Sequence, residues 1–162
     1  MTPPTRTPVQ IAWVTDDLAA TETVLSALLG ARKWVRLPGV HFGPDTCEYR
    51  GEPADFTADI SLSYAGDTQL ELIAPVEGES IYTEFLAAGG PGLHHVCVET
   101  DDLDATLADA VAGGAEVVQC GVLSGMRFGY VSAVQAGVPF IEFACVGSQI
   151  RDFFDYVKRE QQ

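Results

Sequence analysis

The chain is 162 residues long, 47% hydrophobic, and carries a formal net charge of −14, with only nine Lys and Arg against 23 Asp and Glu. That length suits one domain with a substantial core, and the acidity argues against a nucleic-acid partner and, more weakly, against polyanionic substrates such as coenzyme A thioesters. No apolar run approaches the roughly 18–20 residues of a spanning helix, MTPPTRTP has no apolar signal core, and the four cysteines form no CxxC pair, so a cytoplasmic protein with reduced thiols and no membrane contact is expected.

The first eight residues are rich in Pro and Thr and read as a loose arm. Val9–Val14 has strand composition and runs into Asp16 and Asp17, residues that cap helices. Leu18, Val24, Leu25, Leu28 and Leu29 then share one face of a helix that Gly30 closes. From Lys33 to Pro53 the pattern weakens, leaving one short strand near Cys47–Arg50. Phe56–Tyr64 and Thr68–Ala74, separated by Ala-Gly-Asp, predict a hairpin. A short helix at Ser80–Ala87, with Ile81, Phe85 and Leu86 on one side, leads to a Gly-Gly-Pro-Gly break at 89–92. A second series follows: a strand at Leu93–Glu99, caps at Asp101 and Asp102, and a helix carrying Leu103, Leu107 and Val111. Strands at Glu116–Val122, Met126–Ala133 and Val138–Cys145 complete it. Ile150, Phe153, Phe154 and Val157 keep helical spacing, which predicts a terminal amphipathic helix docked on the sheet.

The two series are copies. Gln10–Thr21 reappears 85 positions later as His95–Thr106, with six of the twelve aligned residues identical. A second pair of strand-like segments, Gln69–Pro75 and Pro139–Cys145, repeats at an offset of 71 that aligns Glu71 with Glu142. Duplicated units place equivalent residues about a pseudo-twofold axis. Here Gln10 matches His95 and Glu71 matches Glu142, and all four residue types can hold a metal.

Two βαβββ units in one short chain resemble the vicinal oxygen chelate superfamily, which includes glyoxalase I, methylmalonyl-CoA epimerase, extradiol dioxygenases and bleomycin-resistance proteins. The resemblance runs from about Val9 to Cys145. It implies an α+β fold: two modules, at about 9–75 and 93–146, forming a curled mixed sheet with helices outside. A linker helix within 76–92 and a C-terminal helix at 147–160 complete this single domain. The resemblance also implies ligands from the first and last strand of each module, which are Gln10, Glu71, His95 and Glu142. Homodimers are the habit of the superfamily.

Strand alternation supports that ligand set. Gln10, Ala12 and Val14 share one face while Ile11 and Trp13 suit a face packed under helices. By the same rule Leu70 and Leu72 point away from Glu71, and Ile141 and Phe143 away from Glu142. Carboxylates on a buried face need a partner, and a divalent cation would satisfy both of them together with an imidazole and an amide oxygen. His94 should face the other side of the sheet from His95, and Cys97 should share the face of His95. His41 should be exposed.

The set Gln, Glu, His, Glu is similar to that of one branch of glyoxalase I, and its mostly oxygen donors favour redox-inert Lewis-acid chemistry with zinc, nickel, cobalt, manganese or magnesium. The stretch from Glu71 to His95 resembles the methylmalonyl-CoA epimerases, although Gln10 stands where they have histidine and Ser132–Pro139 lacks their basic residue. The implied activity is a metal-dependent isomerase, epimerase or lyase. It acts on a small oxo- or hydroxy-acid or a thioester, and deprotonates carbon next to a metal-bound carbonyl through an enediolate. Glu142 is the implied base, with Glu71 serving the opposite face. Tyr130, Arg50 and Arg127 are candidate substrate contacts. Two alternatives remain: a metal-free antibiotic-binding protein, disfavoured by the intact ligand set, and an iron dioxygenase, disfavoured by Gln10 in the place of a histidine.

Overall fold

The computed structural model describes residue 2 and residues 4–162. Ten strands form one mixed, curled sheet: β1 (Pro8–Val14), β2 (Val35–Phe42), β3 (Cys47–Tyr49), β4 (Glu52–Pro53), β5 (Phe56–Ala65), β6 (Thr68–Glu77), β7 (Gly92–Glu99), β8 (Val117–Leu123), β9 (Met126–Ser132) and β10 (Phe140–Val146). Among the described residues four α-helices and one 3-10 turn at Val134–Ala136 accompany it: α1 (Leu18–Leu29), α2 (Ile81–Gly89), α3 (Leu103–Ala112) and α4 (Ser148–Arg159). The strand order is β2-β5-β6-β1-β7-β10-β9-β8-β3-β4. Its first eight members read as two four-stranded halves, mirrored about the antiparallel β1–β7 pair. Each half is a βαβββ unit, as the repeat predicts.

The repeated Thr-Asp-Asp-Leu segment survives in both copies because it starts a helix twice. Asp17 accepts from the Ala20 N–H and Asp102 from the Ala105 N–H, each at 3.0 Å, filling an orphan donor of the first turn. A threonine pair locks each strand to its helix: Thr15 with Thr21 at 2.9 Å, and Thr100 with Thr106 at 2.8 Å. Leu25 of α1 and Leu103 of α3 are buried, but Val24, Leu28 and Leu29 are exposed, so the apolar face expected for α1 is only partly covered.

The expected short strand near Cys47–Arg50 exists as β3, but it leaves its own half and pairs with β8 at the far edge of the other. The strand that completes the first unit is β2, paired with β5. Its sequence hid it: Pro38 and Gly39 interrupt the alternation, and the register slips between Leu37 and Val40. The helices also divide. α3 packs on the convex face with β9 and β10, and α1 backs β6. α2 and α4 instead lie in the hollow: Ile81 and Tyr82 of α2, and Phe153, Phe154 and Val157 of α4, join a core with Val14, Phe42, Phe56 and Phe128. At the N-terminus the arm is less loose than expected, since Arg6 donates to the Thr106 hydroxyl and lies over the Phe143 ring. That expectation also covered Met1 and Pro3, which lie outside the described residues. Among the described residues no helix is long and apolar enough to cross a membrane.

Candidate metal centre

Parallel pairing of β1 with β6 sets Ala12 beside Glu71, and parallel pairing of β7 with β10 sets Cys97 beside Glu142. The central β1–β7 pair sets Ala12 opposite His95. Four adjacent strands therefore bring Glu71, His95 and Glu142 together, with ligand-capable atoms all within 4.8 Å of one another. Nε2 of His95 lies 3.5 Å from Oε1 of Glu71 and 3.4 Å from Oε1 of Glu142. These are ion-pair distances, and the atom has no hydrogen-bond partner although it is fully buried.

The fourth expected ligand, Gln10, lines the same cavity as Glu71 and Glu142. Its Nε2 donates to Oε1 of Gln69, its neighbour in register, and its own Oε1 is buried and unpartnered. Gln69 went unnoticed in the sequence, yet its signal was there: it sits one alternation before Glu71 and so shares its face. The cavity encloses about 190 Å³. The sheet gives it a floor that includes Gln69, Glu71, Cys97 and Glu142, and α4 gives it a roof through Arg151, Phe154, Asp155 and Lys158. Arg151 pairs with Glu99, and Lys158 with Asp67 at 2.7 Å.

Burial alone would keep the His95 ring neutral, but the carboxylates of Glu142 and Glu71 outweigh it and push the imidazole up to about 9. Burial raises Glu71 in turn, against the pull of His95. His94 behaves oppositely: burial first, then the neighbouring His95, depress it to about 2, although the Ile81 backbone works against them.

The remaining candidates fall elsewhere. Tyr130 is buried, with its hydroxyl 2.7 Å from that of Tyr82 and its ring 4.9 Å from His95, so it packs behind the histidine and does not line the cavity. Arg50 sits in the β3–β4 turn and donates to Glu84 of α2 at 2.7 and 2.8 Å. Arg127 lies on the convex side of β9, paired with Asp104 of α3. Neither arginine touches the cavity. His41 is paired with Asp55 at 2.7 Å on the surface, in keeping with its expected exposure.

His94 departs from strand alternation. Ala12 pairs with His95 and Trp13 with Leu93, so β7 carries one extra residue there, a β-bulge at His94. The bulge swings His94 to the same side as His95, with the two Nδ1 atoms 2.8 Å apart.

The donor set fits a divalent cation. Among the described residues His95 is the only positively chargeable group within 4.0 Å of either carboxylate. Two carboxylates against one imidazolium leave a net negative charge in a buried site, whereas a divalent ion with a neutral imidazole leaves none. Such an ion would also occupy the unpartnered Nε2 of His95.

Mirrored βαβββ units closing a curled sheet around such a cluster define the vicinal oxygen chelate fold. The chain belongs to the Glyoxalase/Bleomycin resistance protein/Dioxygenase superfamily, whose profile matches residues 9–130. The solved structures it resembles include methylmalonyl-CoA epimerase from Mycobacterium tuberculosis (19% identity, 90% of this chain and 91% of that one, TM-score 0.62). A hypothetical protein from Bacillus halodurans C-125 is similar at 18% identity over 90% of this chain and 98% of that one, with a TM-score of 0.61. A variant of Streptomyces coelicolor methylmalonyl-CoA epimerase, in complex with 2-nitronate-propionyl-CoA, follows at 18% identity over 88% and 95%, with a TM-score of 0.60. At these identities the likeness speaks for the fold. No curated protein sequence matches the chain.

Proposed function

We propose that this protein is a metal-dependent isomerase, epimerase or lyase that removes a proton from carbon next to the carbonyl of a small oxo- or hydroxy-acid. One observation carries the reading: Glu71, His95 and Glu142 converge within 4.8 Å, the two carboxylates line a cavity, and Nε2 of the buried His95 between them has no partner. Glu71, His95 and Glu142 would hold the ion, with Oε1 of Gln10 as a fourth donor. Bound there, a divalent cation supplies a Lewis acid for negative charge developing on a substrate oxygen. Glu142 takes the proton from the neighbouring carbon. Glu71, its pseudo-symmetry mate, faces the same cavity from the other half of the sheet, which is the arrangement that proton transfer on two faces requires.

The cavity favours a compact substrate. About 190 Å³ under a helical roof suits an acid of a few carbons, below the roughly 300–1,000 Å³ usual for larger ligands. A thioester of coenzyme A, the kind of ligand in the Streptomyces coelicolor complex, is larger than that volume. Metal content of protein purified without chelator, together with deuterium uptake from D₂O at the α-carbon of candidate acids, tests the proposal. Bound metal at about one per chain and metal-dependent exchange are expected. Metal-free protein that binds small molecules without exchange would replace the enzyme with a sequestering protein.

A further inference from the structure

We infer that His94 is a positioning residue: its Nδ1 accepts the Nδ1–H of His95 and so fixes His95 in the tautomer that leaves Nε2 free for a cation. The inference rests on the metal-centre reading above and adds the residue that orients its central ligand.

Two ring nitrogens 2.8 Å apart share a single hydrogen, so one ring donates and the other accepts. His95 directs Nε2 between two carboxylates at 3.4 and 3.5 Å. A cation there needs the lone pair of Nε2, and the proton of a neutral His95 must then sit on Nδ1. His94 is left as the acceptor, with its own proton on Nε2.

The surroundings of His94 favour that arrangement. Its ring is fully buried among Phe140, Phe85 and Tyr82, at centroid distances of 4.9, 5.1 and 5.3 Å, and its Nε2 has no hydrogen-bond partner. Electron-rich ring faces tolerate an N–H better than a lone pair. Metal-binding histidines usually donate their second N–H to a carboxylate, a carbonyl or water. Here the acceptor is the preceding residue of the same strand, which regular alternation would place on the other face. The extra residue in β7 is what makes the contact.

The test uses ¹⁵N-histidine-labelled, metal-free protein above pH 9, zinc titrations, and two variants. In the wild type, NMR should find His95 protonated on Nδ1, His94 protonated on Nε2, and a coupling across the Nδ1–H···Nδ1 bond. The opposite pattern, with His94 protonated on Nδ1, overturns the inference, and this readout requires neither metal binding nor turnover. His94→Leu should weaken zinc binding by about 10–100-fold, while His94→Asn, which keeps an acceptor near the Nδ1 position, should stay within a few-fold of wild type. Equal losses in the two variants, or zinc affinity in His94→Leu within two- to three-fold of wild type, would mean that His94 is packing only. If the leucine variant does not fold, the wild-type spectrum still decides. Should the wild type take up no zinc while showing the expected tautomers, the metal reading fails and the positioning stands.

Discussion

At the residue scale, the site is a problem in unpaired charge. Glu142 is almost fully buried, and among the described residues its only positively chargeable neighbour within 4.0 Å is His95. Glu71 shares that partner from the opposite side. The two roles proposed for Glu142, ligand and base, separate in Glu142→Gln. The amide keeps an oxygen donor of the same size but cannot take a proton. The variant should hold metal near the wild-type stoichiometry, and deuterium exchange at the substrate carbon should fall by about 10²–10⁴-fold, the usual loss when a general base is removed. Exchange at the wild-type rate would remove Glu142 from the mechanism. Gln10 gives a complementary test: Gln10→Leu removes the buried, unpartnered Oε1. If that oxygen is a fourth donor, metal affinity should drop by at least tenfold in a chelator-competition titration with the fold unchanged by circular dichroism. An unaltered affinity would leave the site with three protein ligands.

At the element scale, the fold was legible wherever the repeat was legible. The segments Gln10–Thr21 and His95–Thr106 gave two strands, two caps and two helices because each copy must solve the same problem of starting a helix on Asp17 or Asp102. Period-two alternation gave the inward faces of β1, β6 and β10, and with them Gln10, Glu71 and Glu142. It failed at His94 because a bulge is a pairing event, set by Ala12 and Trp13 across the sheet and invisible in β7 alone. It found β3 without placing it, because the partner strand lies about 70 residues downstream in the other half, with Cys47 opposite Gly121. That crossing depends on a missing side chain. A Cβ at Gly121 would stand 2.6 Å from Sγ of Cys47 and 2.8 Å from the Thr46 carbonyl oxygen. Gly121→Val should therefore unseat β3 from β8, lowering stability by about 1–3 kcal/mol, as overpacking does, and raising amide exchange in Cys47–Tyr49. A urea midpoint equal to that of the wild type would show that the edge is loose already.

At the scale of the whole molecule, the adjacent histidines give the metal-free protein a stability optimum in pH. Both rings ordinarily titrate near 6.5. In the fold His95 is pushed up to about 9 by its carboxylate neighbours, overcoming burial. Its contribution is fully present below 6.5 and is lost as pH rises through about 9, because across that interval the folded state holds a proton that the unfolded chain has released. His94 works in the other direction. Burial and His95 depress it to about 2, so below 6.5 the unfolded chain takes up a proton that the folded state refuses, and stability falls as acid is added. Each limb can reach about 1.4 kcal/mol per pH unit, and the raised Glu71 carboxyl works against the acid limb, because above 4.5 the unfolded chain has released a proton that the fold retains. Urea unfolding of chelator-treated protein from pH 5 to 10 measures both. Saturating zinc should flatten the alkaline limb and steepen the acid one, since a bound cation requires the neutral His95 and removes its proton at every pH where the ion stays bound, including below 6.5, where the unfolded chain carries that proton. If metal-free stability is level between pH 6.5 and 9, His95 is not held charged between the two carboxylates, and the buried negative charge that calls for a cation has been relieved in another way.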